Sequence, residues 1–208
     1  MIPLETVLVF LAASTALALV PGPDNIFVLT QSALHGRSAG MFVTLGLCTG
    51  LIVHTTAVAL GVAVIFQTSE IAFNILKVVG AGYLLYLAWQ AFKASASKLN
   101  AKENVNAGPR ALYVRGLVMN ITNPKVAIFF LAFLPQFADP SLGSLTAQMF
   151  IFGGLMMLVT LVVFGTVGWT AGFLGEWLRR STRAQIMLNR IAATVFIALA
   201  LRLVTSER

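Results

Sequence analysis

The chain has 208 residues, of which 58% are hydrophobic and only 10% are charged. Its mean hydropathy is +0.89, and the charged share is far below the roughly 25% of a soluble domain. The composition excludes a soluble globular protein and a disordered chain, because 14 basic and 7 acidic side chains cannot cover so much hydrocarbon in water. We therefore expect most of the surface to face lipid.

Six apolar segments are long enough to cross a hydrocarbon core of about 30 Å, which takes about 20 helical residues. In chain order they are Leu4–Leu34, Ala39–Phe66, Ile71–Phe92, Ala111–Phe137, Ser144–Trp177 and Ala184–Val204. We expect helices because every backbone amide in lipid needs a partner within the protein, and because barrel strands do not form such long unbroken apolar runs. The sequence thus predicts an all-α integral membrane protein with six transmembrane helices.

Charge alternates between the connections of these spans. The connections after spans 1, 3 and 5 are basic. Those after spans 2 and 4 contain no Lys or Arg, and their charged residues are Glu70 and Asp139. By the positive-inside rule the basic connections are cytoplasmic, and both termini lie on the periplasmic or extracellular side. The N-terminus lacks the basic start of a signal peptide and carries Glu5, so we interpret it as the first span. This placement also explains the net charge of +7, and we expect no nucleic-acid partner.

The spans divide into two halves of three. We predict a single transmembrane domain over 1–208, in which a first half (1–93) and a second half (111–208) are joined by a polar cytoplasmic linker (94–110). An odd number of crossings makes two repeats enter the membrane in opposite directions, which is the inverted repeat of many secondary transporters. A proline break in the first span of each half supports this arrangement.

The two breaks are Pro21-Gly22-Pro23 in span 1 and Asn123-Pro124 in span 4. Proline interrupts a helix but suits its first position, and Asn is a preferred N-cap, so each break should start a new half-helix. Asp24 and Lys125 then lie about 15–18 Å from the cytoplasmic edge, near the middle of the bilayer, at 1.5 Å per residue. The positive ends of both half-helices should converge there and favour a substrate carboxylate.

Two charges at this depth need a reason, because each costs at least about 2.5–3.5 kcal/mol. One interpretation is a structural ion pair between Asp24 and Lys125, with prolines that only bend the helices. The other, which we favour, is a transport site in which Asp24 binds an ammonium or a proton while Lys125 and the helix ends bind a carboxylate. The two arrangements could alternate in one cycle. His54 is a second candidate for proton coupling, or else a core histidine bonded to a neighbouring hydroxyl.

Two further patterns concern helix packing. Asn120 and Asn123 lie three residues apart on one helix face, which suits either a cavity lining or hydrogen bonds between helices. The Gly46-x-x-x-Gly50 spacing predicts close approach of two helices.

Several motifs together resemble the lysine-exporter (LysE/RhtB-type) family. They are residues 20–25 (VPGPDN), 33–40 (ALHGRSAG), 80–87 (GAGYLLYL) and 120–125 (NITNPK). The match covers essentially the whole chain, and the order and spacing of the motifs make it specific. The resemblance implies a bacterial inner-membrane exporter of amino acids or their relatives, driven by proton motive force. It also implies that Pro21, Gly22, Pro23, Asn123, Pro124 and Lys125 are signature positions. Many members carry Asn where this chain has Asp24, which leaves open whether Asp24 couples protons here.

We therefore predict a secondary transporter that exports amino acids or related small zwitterions by alternating access, with protons and lipid as further partners and allowance for a homodimer. The alternatives are an intramembrane enzyme using Asp24 and His54, a channel, and an exporter of another kind of small metabolite. One cysteine and two histidines offer no metal set, and we expect no cofactor. The candidate substrate-binding residues are Pro21, Gly22, Pro23, Asp24, Asn25, Asn120, Asn123, Pro124 and Lys125.

Overall fold

A computed structural model describes residues 2–20, 22–62, 70–93, 108–171 and 181–205. Throughout these ranges the regular structure is helical and no strand occurs, which confirms the all-α prediction. The helices are α1 (Leu4–Leu19), α2 (Pro23–His35), α3 (Arg37–Ala57), α4 (Glu70–Lys93), α5 (Pro109–Thr122), α6 (Pro124–Ile128), α7 (Leu145–Trp169) and α8 (Thr182–Thr205). A π-helical segment, Val58–Val62, continues α3, while a π-helical segment, Phe129–Phe133, and a 3-10 turn, Leu134–Phe137, continue α6.

The predicted spans coincide with these helices to within a few residues wherever the structure describes them. Pro21, the ends of spans 2 and 5 (63–66 and 172–177) and most of the linker (94–107) lie outside the described residues. Among the described residues, two helices are long and apolar enough to cross a membrane alone, Arg37–Gly61 and Leu145–Trp169. Two bent pairs also qualify when each is taken as one span, α1 with α2 and α5 with Pro124–Phe137. Six crossings therefore stay a prediction.

Both bends lie at the proline motifs. The axes of α1 and α2 differ by 62°, and those of α5 and Pro124–Phe137 differ by 51°. In each pair the second helix opens with proline, at Pro23 and at Pro124, where the missing N–H costs nothing because a first-turn amide has no partner inside the helix. The predicted half-helix starts are confirmed at both positions.

Glycine brings α3 and α5 into backbone contact. A Cβ added to Gly46 would collide with the Tyr113 carbonyl, and one added to Gly116 would collide with the Val43 carbonyl. A Cβ on Gly50 would lie 2.6 Å from Oδ1 of Asn120. The close approach predicted from the glycine spacing is therefore present, and it holds Asn120 against α3.

An aromatic core holds α1 against α7 and against the segment that follows α6. The ring of Phe10 in α1 lies 4.8 Å from Phe152, 5.0 Å from Phe137 and 6.3 Å from Phe129, measured between centroids. All four side chains are buried. These contacts attach α1 to α7 and to the segment following α6, and they bring the C-terminal end of α1 next to the start of α6.

Large apolar side chains also cover the outside of the molecule. More than half of the surface of several of them is exposed, including Leu8, Ile71, Val78, Val162 and Leu201. Exposed hydrocarbon on this scale is unfavourable in water and favourable in lipid, in agreement with the composition.

Candidate functional site

The first break carries a buried carboxylate. Gly22 is the extended N-cap of α2 and Pro23 is its first residue, so Asp24 lies in the first helical turn. Only 2% of Asp24 is exposed. Its Oδ2 accepts a hydrogen bond of 2.9 Å from Nδ2 of Asn123, whereas its Oδ1 is buried and has no partner among the described residues. An unpartnered buried carboxylate oxygen is costly, so this atom is a natural ligand contact.

The second break is held by a single asparagine that also reaches the first. Asn123 is the N-cap of α6, and its Oδ1 accepts a hydrogen bond of 3.0 Å from the backbone N–H of Lys125. The same side chain donates from Nδ2 to Asp24. Asn123 thus uses the two ends of its amide to cap one half-helix and to bind the acidic residue of the other, which confirms the predicted N-cap and couples the two breaks.

The ammonium of Lys125 contacts α1. Its Nζ donates to the carbonyl oxygens of Leu17 and Val20, each at 3.2 Å. These carbonyls belong to the last turn of α1, where no helical N–H is available to them. Asp24 and Lys125 are both described, yet no ion-pair contact joins their charged groups. Asp24 binds Asn123, and Lys125 closes the end of α1.

Gly22 makes room for this lysine. A Cβ added to Gly22 would lie 3.2 Å from Nζ of Lys125 and 3.8 Å from Oδ1 of Asn25. Asn25 donates from Nδ2 to the carbonyl of Ala18 at 2.6 Å, while its Oδ1 is buried without a partner in the described part of the chain. Asn25 from the first break and Lys125 from the second therefore both bind carbonyls at the end of α1.

Asn120 and His54 extend the site towards α3. Asn120 is 2% exposed, its side chain faces the Asp24 carboxylate, and its Oδ1 has no partner among the described residues. His54 Nε2 lies 3.2 Å from the carbonyl oxygen of Asn120. Because a carbonyl only accepts, this nitrogen carries the proton. His54 also packs on the ring of Phe130, 5.6 Å away. Its link to Asp24 therefore passes through Asn120, and no direct contact joins His54 and Asp24, both of which the structure describes.

Sequence reasoning missed Gln31. It follows Asp24 by seven residues and so lies on the same face of α2, on the side of the predicted cytoplasmic end. Its side chain is fully buried, and neither amide atom has a partner among the described residues. The signal was available, since an amide seven residues after a buried acid marks one polar face of a membrane helix.

The candidate residues fall into three groups. The structure brings together Gly22, Asp24, Asn25, Asn120, Asn123 and Lys125 around the two breaks, and Pro23 and Pro124 open the two half-helices. Pro21 lies outside the described residues.

Within the ranges that the structure describes, no three His, Cys, Asp or Glu side chains form a group that could hold a metal ion.

A helical membrane protein with polar groups collected at two broken helices is the class that the fold and the site define. The particular family follows from comparison with known proteins. Residues 15–207 match the model of the LysE type translocator family, and the chain belongs to this family. The resemblance noted from the motifs is thereby confirmed, and the chain is an integral membrane protein.

Individual relatives cover nearly the whole chain. A homoserine/homoserine lactone efflux protein of Salmonella typhimurium is 33% identical over 90% of this chain and 90% of its own length. A leucine efflux protein of Klebsiella pneumoniae is 27% identical over 96% of this chain and 95% of its own. An uncharacterized membrane protein, YrhP, of Bacillus subtilis is 24% identical over 96% of this chain and 98% of its own. No solved structure matches the chain.

Proposed function

We propose that this protein exports amino acids or closely related small zwitterionic metabolites across the bacterial inner membrane, as a secondary transporter working by alternating access. Its membership of the translocator family and the efflux named for two relatives support this function. The observation that carries it is the buried, incompletely satisfied carboxylate of Asp24 between two broken helices. Ionisable groups inside a membrane are expensive and mark transport paths.

The proposal includes the topology expected from the sequence. Six spans form two inverted halves, 1–93 and 111–208, both termini face away from the cytoplasm, and export draws on the proton motive force. Asp24 and His54 are the candidates for proton coupling, and the hydrogen bond from His54 to Asn120 supports a connection between them. Substrate binding is assigned to the residues around the two breaks, from Pro21 to Asn25 and from Asn120 to Lys125.

The compounds named for two relatives narrow the chemistry of the proposed substrate. Homoserine and its lactone share a small size and a primary amine, and leucine shares the amine. We extend this common feature to the present chain and propose an amine-bearing substrate of similar size. An intramembrane enzyme would need Asp24 and His54 to act as an acid and base pair, and no contact between them favours it in the described residues.

The test is accumulation of labelled homoserine and leucine by everted membrane vesicles, which take up what an exporter would expel. We expect accumulation in vesicles that contain the protein and are energised by respiration, and its loss when a protonophore collapses the gradient. Vesicles without the protein are the control. If neither compound accumulates, and overexpression protects cells from no amino acid or analogue in a growth-inhibition panel, amino-acid export is refuted.

Persistence of uptake with the protonophore present would refute the coupling and leave the export itself standing.

A further inference from the structure

The lysine of the site is largely committed to the protein itself. An ammonium has three donors, and two of those of Lys125 bind the carbonyls of Leu17 and Val20. In lipid no water replaces such partners, and an unsatisfied carbonyl costs several kcal/mol. Releasing Lys125 to bind a substrate carboxylate would therefore expose the end of α1, so the expected role of Lys125 as the main carboxylate ligand does not fit this arrangement.

Side-chain acceptors around the two breaks, by contrast, are in surplus. Oδ1 of Asp24, Oδ1 of Asn120 and Oδ1 of Asn25 are all buried without a partner among the described residues. A carboxylate brings only further acceptors, whereas an ammonium brings three donors. The negative charge of Asp24 also attracts an ammonium and repels a carboxylate. The complementary group for this set of atoms is thus a primary ammonium.

Resting on the proposed function, we propose that the site recognises its substrate by the ammonium group and that a free carboxylate is dispensable. Oδ1 of Asp24 is the primary acceptor, Oδ1 of Asn120 is the second, and Lys125 acts as a positioning residue that closes the end of α1. The substrate class is then small primary amines with a carboxylate, amide, ester or lactone, rather than amino acids alone.

Two leucine analogues of almost unchanged size separate the two groups. Leucinamide keeps the ammonium and neutralises the carboxylate, whereas 2-hydroxy-4-methylpentanoate keeps the carboxylate and replaces the ammonium by a hydroxyl. Each is tested as a competitor of labelled leucine or homoserine in energised everted vesicles. At pH 6.5 the amines are protonated, since an α-amine beside an amide has a pKa of about 7.7–8.0 and that of a free amino acid has a higher one. Competition avoids errors from passive entry of the uncharged amine.

We expect leucinamide to inhibit within about threefold of leucine and the hydroxy acid to be at least about tenfold weaker, the ratio set by one charged hydrogen bond. The reverse order overturns the inference while leaving export intact. If no amino acid accumulates, the proposed function fails, and thermal stabilisation of the purified protein tests the inference by itself. Stabilisation by leucinamide and not by the hydroxy acid supports it, and any other pattern contradicts it.

Asp24→Asn then locates the recognition. The variant keeps the shape of the side chain and an oxygen that can accept from Asn123, and it removes the charge. The quantity compared is the concentration of hydroxy acid that gives half-maximal inhibition or stabilisation, divided by that of leucinamide. We expect this ratio to fall at least about fivefold in the variant, because the ammonium loses its charged partner. Glu5→Gln, at an exposed acid in the first turn of α1, is the matched control and should leave the ratio unchanged. An unchanged ratio in Asp24→Asn contradicts the assignment.

Discussion

The two bent helix pairs use the same device, a proline at the start of the second helix, but they leave their polar groups in different states. At the second break, the Asn123 side chain is bonded at both ends and caps α6. At the first break, α2 has no side-chain cap, and Oδ1 of Asp24 and Oδ1 of Asn25 lack partners in the described chain. The second break therefore holds the two bent pairs together, and the first presents acceptor atoms that a ligand can bind.

Replacing Lys125, the lysine of the second break, should have the largest effect on stability. Lys125→Met keeps the length of the side chain but leaves the carbonyls of Leu17 and Val20 unsatisfied and the charge of Asp24 uncompensated. We expect the protein to lose about 2–4 kcal/mol of stability, seen as a large fall in melting temperature in detergent. Lys93→Met, at an exposed lysine stacked on Trp89, is the control.

The double variant Lys125→Met with Asp24→Asn sharpens this comparison, because it removes both charges. We expect it to be less destabilised than the sum of the two single variants. Strict additivity would show that the two charges do not interact.

Gly50→Ala should come next. The added Cβ would lie 2.6–2.9 Å from three side-chain atoms of Asn120, so α3 and α5 must separate or Asn120 must move. We expect a cost of about 1–3 kcal/mol and a weaker inhibition of transport by leucinamide. Gly154→Ala, in the middle of α7 with nothing within 4 Å, is the matched control. Equal melting temperatures for the two variants would contradict the close contact.

Asn123→Ser separates the two roles of the Asn123 side chain, which caps α6 and binds Asp24. Serine retains an oxygen that can cap α6 and lacks the nitrogen that binds Asp24. We expect a stability loss of about 1–3 kcal/mol, because Oδ2 of the buried Asp24 loses its partner, and a clear fall in transport rate, because the Asp24 carboxylate is no longer positioned. Asn123→Ala, which loses both contacts, should be less stable than Asn123→Ser. If the serine variant transports normally, the link between the two breaks has no functional role.

Asp139 should give the smallest effect. It lies beyond the second pair, where a hydrogen bond from the Ser141 hydroxyl and a second one from the Ser141 N–H, 2.8 Å from Oδ1, lower the pKa of the Asp139 carboxyl. A lowered folded-state pKa contributes stability that is present above the unfolded pKa of about 3.9 and is lost as the pH falls through the folded value. Asp139→Asn should therefore lower the melting temperature slightly at pH 7 and lower it less near pH 2. An equal difference at both pH values would contradict this cause.

The sequence was sufficient to predict where the two helices break, but not which side chains bind each other across the breaks. Proline and asparagine act locally, so the starts of α2 and α6 at Pro23 and Pro124 could be predicted. The contacts of Lys125 depend on a 62° bend between α1 and α2, and no local rule sets that angle. Residue spacing therefore brought Asp24 and Lys125 to the same depth without showing that each binds something else.

The glycine contact between α3 and α5 constrains how the molecule can move. It joins backbone to backbone across the boundary between the two sequence halves, since α3 belongs to 1–93 and α5 to 111–208. The pair α4 and α8, also one helix from each half, makes the next most extensive contact in the described chain. The units that move as rigid bodies during transport should thus be these pairs rather than residues 1–93 and 111–208, so a cross-link between α3 and α5 should be tolerated and one that joins the two pairs should arrest turnover.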